Sequence, residues 1–137
     1  MENHSKYDLG ERLIDFSVSI SEVVEKLPTS RIGHHIAGQL LRSGTSPAPN
    51  HAEAQSAESR KDFIHKLKLG LKELRETSVW LKVIQRKNLV KSVGLVEKVL
   101  SECDELIAIF VSSIATATRN MGVGRVNIEQ PTFNSEQ

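Results

Sequence analysis

The chain has 137 residues, 39% hydrophobic and 26% charged, which suits one compact domain with its own core and excludes a low-hydrophobicity disordered protein. A single cysteine, Cys103, excludes an intrachain disulfide, the polar start "MENHSKYDLGERL" is no signal peptide, and no apolar run approaches the roughly 20 residues of a membrane-spanning helix, so a cytoplasmic chain without a membrane partner is expected. The net charge of +1 is segregated: Arg60 to Lys91 carry ten Lys/Arg against three Asp/Glu, a net of +7, and the remainder carries eight against fourteen, a net of −6.

The first predicted helix covers Asp8 to Leu27. Leu9, Leu13, Phe16, Ile20, Val23, Val24 and Leu27 fall within about 100° of arc at 3.6 residues per turn, which gives one buried face. Ile14 and Val18 lie off that face and suggest a second contact surface. Pro28 ends the helix, and Thr29 or Ser30 can cap the next. The second helix starts near Ser30, takes its apolar side from Ile36, Leu40 and Leu41, and meets Pro47 and Pro49 after Gly44. An Ala-rich helical piece then runs to about Ser56. Both prolines lack an N–H donor and restrict the residue before them, so the helix must kink or restart there. Ser46 and Asn50 have side chains that can satisfy backbone groups freed by the break, and Glu53 can reach Arg42 or a base of the third helix.

Ser59 caps the third predicted helix, with Asp62 three residues on in the manner of a capping box. Phe63, Ile64, Leu67, Leu71, Leu74 and Leu81 mark its buried side, while Trp80 and Ile84 fall on another side suited to an interface. The fourth helix runs from about Ser92 to Thr118 on Leu95, Val96, Val99, Cys103, Leu106, Ile107, Phe110 and Ile114. Aperiodic sequence follows, which reads as a flexible, disordered tail at 120–137 behind a domain at 1–119. The sparse aromatics, 4% of residues, leave a core of Leu, Ile, Val and Ala. Four such segments with short connections predict an all-α fold, an antiparallel up-down-up-down four-helix bundle with a kinked second helix.

Candidate chemistry is thin. "NHAEA" holds the His-x-Glu of zinc nucleobase deaminases, but that site needs two further cysteines in P-C-x-x-C spacing, and only Cys103 exists. His34 and His35 are adjacent and point about 100° apart on a helix, so they cannot share a metal. No metal, no cofactor and no catalytic residue is expected. The stronger signal is basic: Lys61, Lys68, Lys72, Arg75 and Arg86 cluster within about 60° of arc on the third helix. Such a row either pairs with acidic residues of the first and fourth helices or tracks a phosphate backbone without reading bases. No aromatics are interleaved with it to stack bases.

The forty residues "RSGTSPAPNHAEAQSAESRKDFIHKLKLGLKELRETSVWL", from Arg42 to Leu81, resemble the bacterial four-helix-bundle proteins first noticed as open reading frames in intervening sequences of 23S ribosomal RNA genes. The matching positions are Arg42, Ser43, Ser46, Asn50, Ala52 and Glu53, then Ser59 to Leu81 with Arg60 and Asp62 among them. The resemblance implies an up-down four-helix bundle, commonly a ring-like homopentamer without established catalytic activity. It further implies kinship with the accessory variability determinant of diversity-generating retroelements, which binds nucleic acid and a reverse transcriptase through a basic surface. Two expectations follow. One is a non-enzymatic oligomer that contacts RNA or DNA, or a nucleic-acid enzyme, through the basic row. The other is a ring scaffold without nucleic acid, built through Ile14, Val18, Trp80 and Ile84.

Overall fold

A computed structural model of the chain describes residues 8–125. Within them the protein is all-α, with four helices and no strand, the second helix being interrupted. We label the segments α1 (Leu9–Glu25), α2 (Arg31–Thr45), α3 (Pro47–Gln55), α4 (Arg60–Lys87) and α5 (Val93–Arg125). Among the described residues no helix is long and apolar enough to cross a membrane.

Three starts are capped by side chains that accept otherwise orphaned amides. Asp8 accepts from Glu11 N at 3.3 Å, Ser30 from Gly33 N at 3.2 Å and Ser59 from Asp62 N at 3.0 Å. The end of α4 is set by Asn88, which adopts the left-handed conformation (φ 53°) that asparagine tolerates better than most residues. Its N–H reaches Gln85 O at 3.2 Å, and the N–H of Leu89 reaches Ile84 O at 3.1 Å.

The double-proline stretch breaks one helix into two with a single residue between them. Ser46 ends α2 and opens α3 in right-handed helical geometry, and Pro47 occupies the first turn of α3, where its missing N–H costs nothing. The Ser46 hydroxyl donates to Arg42 O at 2.7 Å and the Thr45 hydroxyl to Leu41 O at 2.6 Å, so both side chains bond back onto the last turn of α2; the carbonyls that Pro47 and Pro49 deprive of a helical donor are those of Ser43 and Thr45. Asn50 contributes its backbone N–H, which reaches Ser46 O at 3.1 Å, in place of the side-chain contact expected of it.

α1 and α4 each pack against α2, α3 and α5, and no backbone contact joins α1 to α4. Residue pairs give the register. Gly70 lies against Phe110 and Leu74 against Cys103 between α4 and α5; Ser43 meets Thr77 and Glu53 meets Lys66 between α2/α3 and α4; Ile20 meets Gly44 between α1 and α2. The core joins Leu13, Phe16 and Ile20 of α1 to Ile36 and Leu40 of α2, Leu67, Leu74 and Leu81 of α4, and Val99, Leu106 and Phe110 of α5.

Besides Asn50, the structure departs from the sequence reading in three places. Ile84 is fully buried at 0% exposure within one chain and joins the core, so it offers nothing to a second copy. Its place on the helix looked peripheral because the buried arc of α4 is wide, facing α2, α3 and α5 together. Leu41, expected inside, is 42% exposed. Finally, α5 continues to Arg125, past the expected end near Thr118. Gly122 and Gly124 each weaken a helix by about 1 kcal/mol relative to Ala but do not block it as proline would. Buried Ala117 carries the inward stripe beyond Ile114, so residues 120–125 are helical. The rest of the expected tail lies outside the described residues.

Close helix approach makes a testable contrast between two glycines of α2. A Cβ at Gly44 would sit 2.6–2.9 Å from three Ile20 side-chain carbons, whereas one at Gly38 would meet nothing within 4 Å. In urea denaturation, Gly44→Ala should lose about 1–3 kcal/mol through overpacking, and Gly38→Ala should gain up to about 1 kcal/mol from helix propensity. Equal effects would mean that α1 does not approach α2 at Gly44.

Candidate nucleic-acid interface

The row of cations on α4 starts from helical arithmetic. Positions 61, 65, 68, 72, 75, 79, 82 and 86 alternate steps of four and three, so they follow one side of the helix. They are Lys61, His65, Lys68, Lys72, Arg75, Val79, Lys82 and Arg86, and all eight are exposed. The row spans about 37 Å at 1.5 Å per residue. All five cations singled out in the sequence stand on it. Lys82 completes the row and was missed, although its heptad spacing from Lys61, Lys68 and Arg75 was available in the sequence.

None of these cations forms a salt bridge with a described residue. Four carboxylates of α4 and α5 are engaged elsewhere. Glu102 and Glu105 of α5 hold Arg12 of α1 at 2.8 and 3.0 Å, and the two carboxylates, outweighing burial between them, raise the Arg12 pKa. Glu73 and Glu76 of α4 itself are turned toward α2, where both hold Arg42, Glu73 at 3.0 Å. The row therefore stands in solvent without a salt bridge to any described residue.

The remaining motif residues form a seam between α2/α3 and α4. Arg42 spans Glu73 and Glu76 and also donates to Gln39 Oε1 at 3.2 Å. Glu76 in turn accepts from Trp80 Nε1 at 3.2 Å, and the rings of Trp80 and His35 stand nearly perpendicular at a centroid distance of 5.8 Å. Beneath this exposed layer, fully buried Thr77 donates to Glu73 O at 2.8 Å and shares a 2.8 Å hydrogen bond with buried Ser43. Glu53 meets Lys66 at 3.1 Å and not Arg42. Arg60 is exposed at the start of α4, and Asp62 supplies the amide held by Ser59. Glu73, Glu76 and Thr77 were not recognised as partners of Arg42 and Ser43, since some thirty residues separate the two groups. Their mutual spacing of three and four was the available signal.

The four proposed contact residues divide. Ile14 and Val18 are 51% and 53% exposed on α1; Trp80 is half-buried in the seam; Ile84 is in the core. His51 and Glu53 do not converge on a common point: His51 packs toward Phe110 with ring centroids 6.4 Å apart, while Glu53 turns to Lys66. Among the described residues no group of three or more His, Cys, Asp or Glu stands in metal-binding proximity. Cys103 is buried and donates to Leu74 O at 3.3 Å.

Two comparisons with known proteins bear on this arrangement. The sequence model of the "23S rRNA-intervening sequence protein" family matches residues 5–112. A crystal structure of a protein of unknown function from the S23 ribosomal protein family of Bacteroides thetaiotaomicron is similar at 32% identity and a TM-score of 0.71, covering 77% of this chain and 97% of that one. No curated protein matches the chain.

One buried and one half-buried group give pH-dependent expectations. Burial, with lesser help from Asp104, pushes the Cys103 thiol up to about 12 from its ordinary 9.0. The native thiol should therefore resist a disulfide reagent at pH 8 and react at once in urea; rapid native labelling would place Cys103 outside the core. Burial also lowers the His51 pKa below its ordinary 6.5, against an opposing pull from Asp8. The unfolded chain then binds this proton more readily, so stability is retained above about pH 6.5 and lost as pH falls through the folded pKa. In acid titrations followed by circular dichroism, His51→Gln should flatten that decline, and an unchanged slope would assign it elsewhere.

Proposed function

The chain belongs to the 23S rRNA-intervening sequence protein family, and on that premise we propose that it is a non-enzymatic binding module that contacts nucleic-acid backbone through the outer face of α4. The observation that carries this reading is the exposed row of Lys61, Lys68, Lys72, Arg75, Lys82 and Arg86 along one side of α4, none of them in a salt bridge with a described residue. Lysine and arginine in such a row bind phosphates by charge and release counterions, which gives affinity without base selection. The row has no exposed Phe, Tyr or Trp to stack unpaired bases, so a duplex suits it better than a single strand.

The register of residue pairs supports an antiparallel up-down four-helix bundle as the scaffold, since partner numbers fall on one helix as they rise on the next. Exposed Ile14 and Val18 favour an oligomer, a pentamer by resemblance to the family. Kinship with the retroelement accessory determinant would add a nucleic-acid enzyme as a second partner. A ring scaffold that never meets nucleic acid is the competing reading, and the same two exposed apolar residues favour it.

Binding of unrelated RNA and DNA duplexes across a salt series separates the two. Nucleic-acid binding should weaken with salt at a log–log slope approaching about −4.5 to −5.4 if each of five or six cations meets a phosphate. Reversing Lys68, Lys72 and Arg75 to Glu together should abolish it. No binding at low salt, or binding indifferent to that triple reversal, would leave the scaffold reading in its place.

A further inference from the structure

The gaps in the row on α4 carry as much information as its cations. At 1.5 Å per residue from Lys61, the cations stand at about 0 Å (Lys61), 10.5 Å (Lys68), 16.5 Å (Lys72), 21 Å (Arg75), 31.5 Å (Lys82) and 37.5 Å (Arg86). His65, at about 6 Å, and Val79, at about 27 Å, hold the two positions without a lysine or arginine. All eight residues are exposed, so the interruptions are as open to a partner as the charges. They divide the row into one cation at its start, three in its middle and two at its end.

A duplex laid with its axis along α4 presents the same rhythm. One backbone crosses the line of contact, the second crosses part-way along, and the first returns after one turn, about 34–36 Å in B-form DNA. Lys82 and Arg86 lie about 31.5 and 37.5 Å from Lys61, so the two ends of the row meet successive crossings of one strand. The grooves are unequal, which puts the second strand off-centre. Lys68, Lys72 and Arg75 cover about 10.5 Å of the interval and meet it whichever groove comes first. His65 and Val79 then lie over grooves, where no phosphate calls for a cation.

Other arrangements use the row less well. In A-form RNA the backbones are drawn together across a narrow groove and held apart by a wide one, which leaves Lys72 and Arg75 over the wide groove. A duplex lying across α4 touches only the cations within its own width. We propose that α4 lies along a B-form DNA duplex, parallel to its axis, and binds one full turn through three successive backbone crossings. This deepens the nucleic-acid reading and rests on it. The site then has a length, about one turn or 10–11 base pairs, and no base selection.

Fluorescence anisotropy of the full chain with DNA hairpin stems of about 6, 8, 11 and 16 base pairs, all sharing one loop, tests the geometry. Affinity should rise at least about tenfold between the shortest stem and one turn, then change less than about threefold. An RNA stem of the greatest length should bind at least about fivefold more weakly than its DNA counterpart. A relocated row supplies the control: Lys61→His/His65→Lys combined with Val79→Lys/Lys82→Val keeps every charge on α4 but moves two cations from crossings into grooves. This variant, shown to be folded by circular dichroism, should bind the longest DNA stem at least about fivefold more weakly, with a salt slope shallower by about 1 to 2. Affinity that levels off before one turn would overturn the proposal. So would RNA bound as tightly as DNA, or a relocated row that binds like wild type. In those three cases binding persists, so the geometry falls and the nucleic-acid reading stands. No binding to any stem at low salt removes both.

Discussion

Much of this structure depends on the place where Phe110 of α5 occupies the space that Gly70 of α4 leaves empty. A Cβ at Gly70 would sit 2.7 Å from the Phe110 ring, so the two longest helices come together only because that position has no side chain. The same device joins α1 to α2, where Gly44 admits Ile20. Close approach at these points brings the aliphatic stripes into one continuous core. Glycine is a poor helix former, and here its cost of roughly 1 kcal/mol per residue is offset by the burial it permits.

That packing also explains the charge segregation. α4 is covered by α2, α3 and α5 and bare on the side away from α1; α1 is bare on the side away from α4. The basic segment is therefore the outward face of one helix, and the carboxylates Glu11, Asp15, Glu22 and Glu25 are the outward face of the helix across from it. Carboxylates that could have neutralised the cations are committed to Arg12 and Arg42. With a Debye length of about 8 Å at physiological salt, charges on opposite sides of the fold hardly affect one another. Each face is thus available to whatever carries the opposite sign.

The double-proline stretch is architecture with a polar seam beside it. The Ser46 and Thr45 hydroxyls bond back onto the last turn of α2, and Pro47 restarts the helix at its first turn. The break is followed by Glu53 reaching Lys66 and preceded by Arg42 reaching Glu73 and Glu76, so both halves of the interrupted helix are tied to α4. The buried Ser43–Thr77 pair lies between the apolar layers, and each hydroxyl there has the other as a hydrogen-bond partner. What looked in the sequence like a catalytic His-x-Glu is two residues facing different neighbours.

The sequence alone determined the helical class, the helix starts at Asp8, Ser30 and Ser59, the interruption at Pro47, most of the core and five of the six cations on α4. These are local or periodic properties, readable from 3.6-residue spacing and from caps that act within four residues. Only the tertiary structure decided that Ile84 is core, that Leu41 is not, that α5 runs on past Thr118, and that Arg42 and Ser43 meet Glu73, Glu76 and Thr77. It alone decided that the basic row lies uncovered on the side away from α1. A residue's angle around its own helix axis follows from its position in the chain. Which side of that helix a neighbour covers follows from packing among segments thirty to ninety residues apart, and no local pattern encodes it.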